Sequence, residues 1–351
     1  MSKPLQETQK YKRLSLLFFS LLFCLPCLLL LDIFLGSSSI SISKIIQELC
    51  CKTDNLALSL IVWEIRVPRA ITAVIVGFSL SLSGLLMQTL FRNPLAGPSV
   101  LGVSSGASVG VAFVMLFVGT SLGSHTLKFS IHESWILIFA ASLGSIAILF
   151  LILFVSLYLN DTVAVLIVGI MLANFTLSIV SIWQFFSNPE EIQTYLLWTF
   201  GSLQGVLGYK LLLLAILNFC MAVVAVLFAK NLNLLLFGTG YAASCGVHVP
   251  SFTKQIILVT GILAGSVTAF CGPIGFIGVV VPHIARLLTG TSDHRYLLPI
   301  TALLGAIIML VCDCIAKLPG YEHSLPINAV TSIVGTPIVL VVLLKRKNIR
   351  I

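Results

Sequence analysis

Ten runs of roughly twenty apolar residues, each closed by charged or turn-forming residues, leave this chain one environment in which to fold. An α-helix rises about 1.5 Å per residue, so about 20 residues cross the roughly 30 Å hydrocarbon layer of a bilayer. The runs cover residues 14–35, 68–91, 99–120, 134–157, 162–186, 209–229, 252–271, 274–289, 296–316 and 325–344. Hydrophobic residues make up 58% of the chain and charged residues 9%, with a mean hydropathy of +1.10, a composition no soluble domain carries without aggregating. The expected fold is an all-α integral membrane protein of about ten transmembrane helices. A further apolar stretch at 192–208, IQTYLLWTFGSLQGVLG, is broken by Gly and Gln. It reads as a short re-entrant or interfacial helix, with an eleventh crossing as the competing reading. The first run has the basic flank of a signal peptide, but its apolar core is too long for one and no small-x-small cleavage site follows, so it reads as a retained helix. Residues 1–13 are then a tail and 14–351 a single polytopic domain.

Charge sets the expected orientation. A net charge of +8 would raise the question of nucleic acid in a soluble protein, but here the basic residues sit at the edges of apolar runs and point to topology instead. Across ten crossings, thirteen Lys and Arg fall on the side of the termini and seven on the other, which puts both termini in the cytoplasm. None of the twelve acids reads as mid-span, which counts against the rival reading of an ion-coupled secondary transporter. A membrane-embedded enzyme would want a buried His/Asp/Glu cluster or a Ser beside a base, and neither is visible. The nine Cys read as small hydrophobes, with Cys50 and Cys51 as the pair placed for redox chemistry. His125, His132, His248, His294 and His323 scatter singly over loops, and no metal site is expected. His283 and Arg286 suit the negative end of a helix dipole. No phosphate-binding G-x-x-x-x-G-K-[ST] loop occurs, so any ATP hydrolysis must come from a partner.

Small residues recur at helix-packing spacing: Gly102, Gly106 and Gly110, then Gly77 with Ser81, Ser79 with Ser83, and Gly261 with Gly265. The bundle should be tight. Segments 68–110 and 252–290 each read as a helix, a Pro/Gly break and a second helix, with their opening helices running in opposite directions, as an inverted repeat demands.

Three stretches carry a resemblance to a known family: IRVPRAITAVIVGFSLSLSGLLMQTLFRNPLAGPSVLGVSSGASVG (65–110), GPIGFIGVVVPHIARLLTGTSDHRYLLP (272–299) and LPINAVTSIVGTPIVLVVLLK (325–345). In order and spacing they resemble the permease subunits of bacterial type II ABC importers for iron chelates, haem and cobalamin. The resemblance implies a homodimer of ten-helix subunits in the inner membrane, two cytoplasmic ABC ATPase subunits that use ATP and Mg, and a periplasmic or lipoprotein substrate-binding protein. It implies no cofactor on this chain. The implied cargo is a metal chelate, a ferric siderophore first and haem or cobalamin next.

The same resemblance assigns roles. Arg66 and Arg69 in WEIRVPR, with Lys317 at the outer end of a later helix, become docking residues for the binding protein. Asp313, four residues before Lys317, is expected to orient it. The cytoplasmic loop 230–251 becomes two short coupling helices against the ATPase, with Gly238 and Gly246 at the turns and Leu235, Leu236, Tyr241 and Ala242 as contacts. Asn93 and Leu95, facing a loop with Asp161 and Thr162, would line a cytoplasmic gate; a plain turn explains the Pro and Gly of FRNPLAGPSVLG but not these two. Ser79, Ser81, Ser83, Ser104 and Ser105 are candidates for a weakly polar pathway lining. The chain departs from the family pattern at Ser324 and Asn328, where Glu and Gly are usual, with Glu322 as a possible substitute for the acid.

Overall fold

The computed structural model describes residues 3–36, 40–51, 55–118, 135–159, 162–317 and 324–345, and every regular element among them is helical. In chain order these are α1 (Lys3–Phe34), α2 (Ile42–Cys51), α3 (Leu56–Leu90), α4 (Val103–Ala112), α5 (Trp135–Tyr158), α6 (Thr162–Phe186), α7 (Pro189–Thr199), α8 (Tyr209–Leu227), α9 (Ala229–Leu236), α10 (Thr239–Ser244), α11 (Val249–Cys271), α12 (Ile277–Thr289), α13 (His294–Ala316) and α14 (Ile327–Lys345). Seven helices are long and apolar enough to cross a membrane: α3, α5, α8, α11 and α13, with Lys12–Phe34 of α1 and Val163–Phe186 of α6. The other three expected spans fall on shorter apolar helices, Val103–Phe117, Ile277–Thr289 and Ile327–Val341. Of the stretch expected to be helical at 192–208, only the part to Thr199 is, in α7, which begins earlier, at Pro189, where the Asn188 N–H donates to Glu191 Oε2 at 3.3 Å; residues 200–208 are irregular. Eleven residues reach only about 16 Å, half of a bilayer core.

α3 begins twelve residues before the expected start of its span. Arg66 and Arg69 therefore lie inside a 35-residue helix and not at its end. Leu60–Arg66 is wound as a π-helix directly ahead of Pro68, where the missing N–H and the bulk of the ring disfavour an ordinary α-turn. From Val67 onward almost every residue of α3 is buried, because α13, α11 and α12 cover its length while α1, α8 and α9 close its edges. Its small residues allow this. A Cβ on Gly77 would strike the Gly305 carbonyl of α13, and one on Gly84 would strike the backbone of Gly278 in α12. On the far side of α11, Gly106 of α4 meets Gly144 of α5 and Gly110 meets Ala140. Most of the glycine faces read from the sequence are thus close backbone contacts, whereas Gly261 and Gly265 make room for the side chains of Leu149, Val103 and Ser145. Three of the five serines are not a lining: Ser79, Ser81 and Ser83 are fully buried and donate to Ile75 O, to Phe78 O and Thr301 O, and to Leu80 O, while Ser104 and Ser105 are half-buried.

The two echoing segments share a structural detail. Each breaks at a residue with positive φ, Gly102 at 68° before α4, and Gly272 at 74° with Phe276 at 66° before α12. Asn328, where the resemblance led to the expectation of Gly, accepts the Gly275 N–H on Oδ1 at 3.0 Å and so pins the start of α14 to this second break.

Gly84→Ala should lower thermal stability in detergent by about 1–3 kcal/mol, the usual cost of overpacking, because the Cβ meets backbone that has no side chain to move. Gly240→Ala, with nothing within 4 Å of the added Cβ, should leave the melting temperature unchanged or raise it. Equal melting of both variants would refute the packing argument.

Candidate functional site

The residues singled out by sequence collect near Arg69 and near Thr89, at the two ends of the buried stretch of α3, about 30 Å apart along its axis. At the end carrying Arg69, four charged side chains meet inside the protein. Arg69 grips Asp313 through Nε at 2.9 Å and Nη2 at 2.7 Å, both to Oδ1, with a third hydrogen bond from Nε to Oδ2 at 3.1 Å. Lys317 Nζ lies 2.9 Å from Asp313 Oδ2 and 2.7 Å from Asp32 Oδ2 on α1, and it donates to the Asp32 carbonyl at 2.9 Å. Both carboxylates are 0% exposed. Arg66 is buried beside them and donates Nη1 to the carbonyls of Ile33 and Phe34 at 3.0 Å each, which satisfies the last turn of α1.

The three cations expected to dock a binding protein are not presented on the surface of the protomer. Arg66, Arg69 and Lys317 all lie inside the protomer with internal partners: Arg69 and Lys317 with Asp313 and Asp32 make two charges of each sign, which desolvate together at less cost than apart, and Arg66 donates to carbonyls of α1. Asp313 does orient Lys317, and it bridges to Arg69 as well. Asp32, deep in the last turn of α1, went unremarked in the sequence because no motif surrounds it. Its only mark was a carboxylate at the end of an apolar run. Cys50 is exposed, while the side chain of Cys51, Glu322 and the pair partner Asp161 lie outside the described residues, as does the side chain of Thr162.

At the opposite end, α3 runs into the FRNPLAG hairpin. Asn93 Oδ1 accepts the Leu95 N–H at 3.0 Å and Asn93 O accepts the Ala96 N–H at 3.1 Å, so a plain turn does account for Asn93. Leu95 is exposed. Arg92 adopts φ 47°, a left-handed conformation rare outside glycine. His283 Nε2 lies 2.8 Å from the Pro94 carbonyl, and since a carbonyl only accepts, that nitrogen carries the proton. The Gln88 side chain donates to Val279 O at 3.0 Å and accepts from Arg286. His283 and Arg286, read as simple dipole partners, in fact bind α12 to the end of α3 and its hairpin.

The loop at 230–251 folds as α9 and α10, separated by Gly238 at φ 113° and closed by Gly246 at φ 88°. Of the expected contacts, Leu235 and Ala242 are turned inward with Leu232 and are buried, Leu236 is half-buried, and Tyr241 is exposed. The sequence reading missed Phe237, which is 72% exposed and packs on Tyr241 with ring centroids 5.3 Å apart. Two aromatics four residues apart across a glycine were the available signal. Among the described residues no three His, Cys, Asp or Glu side chains gather as a metal site would require.

The sequence pattern of the FecCD transport family matches residues 22–345. The haemin transport system permease protein HmuU of Yersinia pestis is 35% identical over 327 residues, which cover 92% of this chain and 95% of that protein. The vitamin B12 import system permease protein BtuC of Klebsiella pneumoniae is 36% identical over 290 residues, covering 82% of this chain and 84% of that protein. A solved chain described as an inward-facing conformation of a metal-chelate type ABC transporter superposes with a TM-score of 0.78 at 26% identity, covering 95% of this chain and 99% of that one.

Removing one partner of a buried pair strands the other charge, typically at a cost of about 3–5 kcal/mol. Asp313→Ala should therefore depress the melting temperature sharply, and far more than Glu64→Ala on the exposed flank of the same α3 segment. A small shift for Asp313→Ala would show that the charges are solvated.

Proposed function

The chain belongs to the FecCD transport family, and on that premise we propose that it is the membrane subunit of an ATP-driven importer that receives a metal chelate from a binding protein and passes it to the cytoplasm. Members of this kind are ABC permease subunits and not enzymes; the ATPase is a separate chain. The observation that carries the proposal is the match of nearly the whole chain to a metal-chelate type transporter, 95% of it at a TM-score of 0.78. The cargo is a ferric siderophore first, with haem or cobalamin next. The two relatives named for haemin and vitamin B12 support large metal chelates as a class.

In this reading two copies form the transport path in a bacterial inner membrane, each with ten crossings and both termini cytoplasmic. The end carrying Thr89, α9 and α10 faces the cytoplasm and meets two ATPase subunits. The end carrying Arg69 faces the binding protein, and Arg66, Arg69 and Lys317 act chiefly by holding that face in shape. Direct contact with partner acids requires Arg69 and Lys317 to exchange Asp313 or Asp32, and Arg66 to leave the carbonyls of Ile33 and Phe34. Leu95, Asn93, Asp161 and Thr162 belong to the cytoplasmic gate, with Leu95 as the exposed apolar element. ATP-driven approach of the ATPase subunits moves α9 and α10, and the bundle alternates between outward and inward access. Asp32 and Asp313 are buried acids, but both are paired with cations near helix ends, which suits a structural clamp better than an ion-coupling site.

Proteoliposomes holding the permease, its ATPase and its binding protein should take up ferric siderophore only with Mg-ATP. Uptake driven by a proton gradient without ATP would sink the proposal, and uptake of haem or cobalamin in preference would reassign the cargo. Phe237→Ala combined with Tyr241→Ala should weaken ATPase binding by about tenfold or more, near 1.4 kcal/mol. Unchanged affinity would remove α9 and α10 from that interface.

A further inference from the structure

His294, read from the sequence as a lone loop histidine, is the first residue of α13 and is 1% exposed. It touches two other helices at once. Its backbone N–H and its Nδ1 each lie 2.8 Å from Asn233 Oδ1 on α9, and its Nε2 lies 2.8 Å from Thr89 Oγ1 on α3. The orientation of the Asn233 amide follows from its other contact, since Nδ2 faces the Asp293 carboxylate at 2.6 Å and a carboxylate can only accept. Oδ1 therefore faces His294, and His294 Nδ1 carries a proton. The Thr89 hydroxyl, with one proton to give, has Leu85 O at 2.9 Å and His294 Nε2 at 2.8 Å as acceptors.

Capping accounts for only part of this arrangement. Asp293 Oδ1 accepts the Arg295 N–H at 3.0 Å and Asn233 Oδ1 accepts the His294 N–H at 2.8 Å, but neither bond needs the imidazole ring or its contact with Thr89. α9 otherwise holds the bundle through apolar side chains such as Leu232 and Leu235. Such contacts slide easily; a hydrogen bond between buried groups has one favourable geometry and a high cost when broken. Next to Thr89, Gln88 extends the connection to α12 through Val279 O and Arg286.

We propose that Asn233, His294 and Thr89 form a buried linkage that transmits displacement of α9 to α3 and α13, with His294 as the positioning residue that joins the three helices. The proposal rests on the reading of α9 and α10 as the ATPase contact. When α9 is moved, the Asn233 amide carries the start of α13 with it through His294, and the ring carries the end of α3 through Thr89. Rigid transfer at this point is what converts ATP hydrolysis into a change at the hairpin that follows Thr89.

The test uses the full importer in proteoliposomes, reading ferric siderophore uptake, ATP hydrolysis and ATPase-subunit affinity together. Thr89→Val keeps the shape and removes the hydroxyl; Thr89→Ser restores it. His294→Asn keeps a polar group toward Asn233 and loses Thr89, whereas His294→Gln does the reverse. Thr89→Val and both His294 variants should lower solute transported per ATP hydrolysed by about tenfold, with ATPase affinity held close to that of the parent and melting lowered only as far as the loss of one buried hydrogen bond requires. Thr89→Ser should restore the ratio to within about twofold of the parent. An unchanged ratio in Thr89→Val, a parallel fall of uptake and hydrolysis, or Thr89→Ser behaving as Thr89→Val would overturn the linkage. Should the His294 variants fail to fold, the Thr89 pair decides alone. Loss of the linkage leaves the Phe237 and Tyr241 binding result intact, whereas a failed α9 and α10 interface shows first in that result.

Discussion

The rest of the structure depends on how closely other backbones can approach α3. A helix buried along most of its length has no favourable place in a membrane bundle unless its neighbours lie nearly in contact, since lipid tails offer apolar surface as readily as Leu does. Gly77 against Gly305 and Gly84 against Gly278 supply that approach, and the buried Ser hydroxyls return their protons to carbonyls of their own helix. With α3 fixed in this way, its two ends become the places where other elements are positioned.

Those ends are built from opposite materials. At one, full charges neutralise one another in a buried cluster, and the geometry is held because any departure leaves an ion without a partner. At the other, neutral and singly charged groups in hydrogen bonds tie a hairpin, a short helix and two long helices together. An ion cluster resists motion, while a chain of directional hydrogen bonds passes it on. A permease that must keep one face in register for a binding protein and move the other under an ATPase has use for both.

Particular residues show where sequence reasoning reaches its limit. The glycine faces were legible because helix periodicity alone places Gly106 and Gly110 on one side, whatever they meet. Arg66 and Arg69 were legible as special but not as buried: their surroundings depend on α1 ending beside them, and the local stretch WEIRVPR reads as a helix start since Pro68 is favoured there. The π-turn that lets α3 begin at Leu56 has no comparable signature. Asn93 looked like a functional residue because Pro and Gly already explained the turn, and only the 3.0 Å contact to Leu95 N reveals the turn's own need for it.

By itself, the sequence determined that this chain lives in a membrane, that its apolar runs form helices, and which faces of those helices could approach one another. Each of these follows from composition and from the fixed geometry of the helix, both local properties. Tertiary structure alone decided that Asp32 pairs with Lys317 across 285 positions and that His294 stands between Asn233 and Thr89. Partner choice among polar groups depends on which helices become neighbours, and the burial that makes those pairings strong exists only once the bundle has closed.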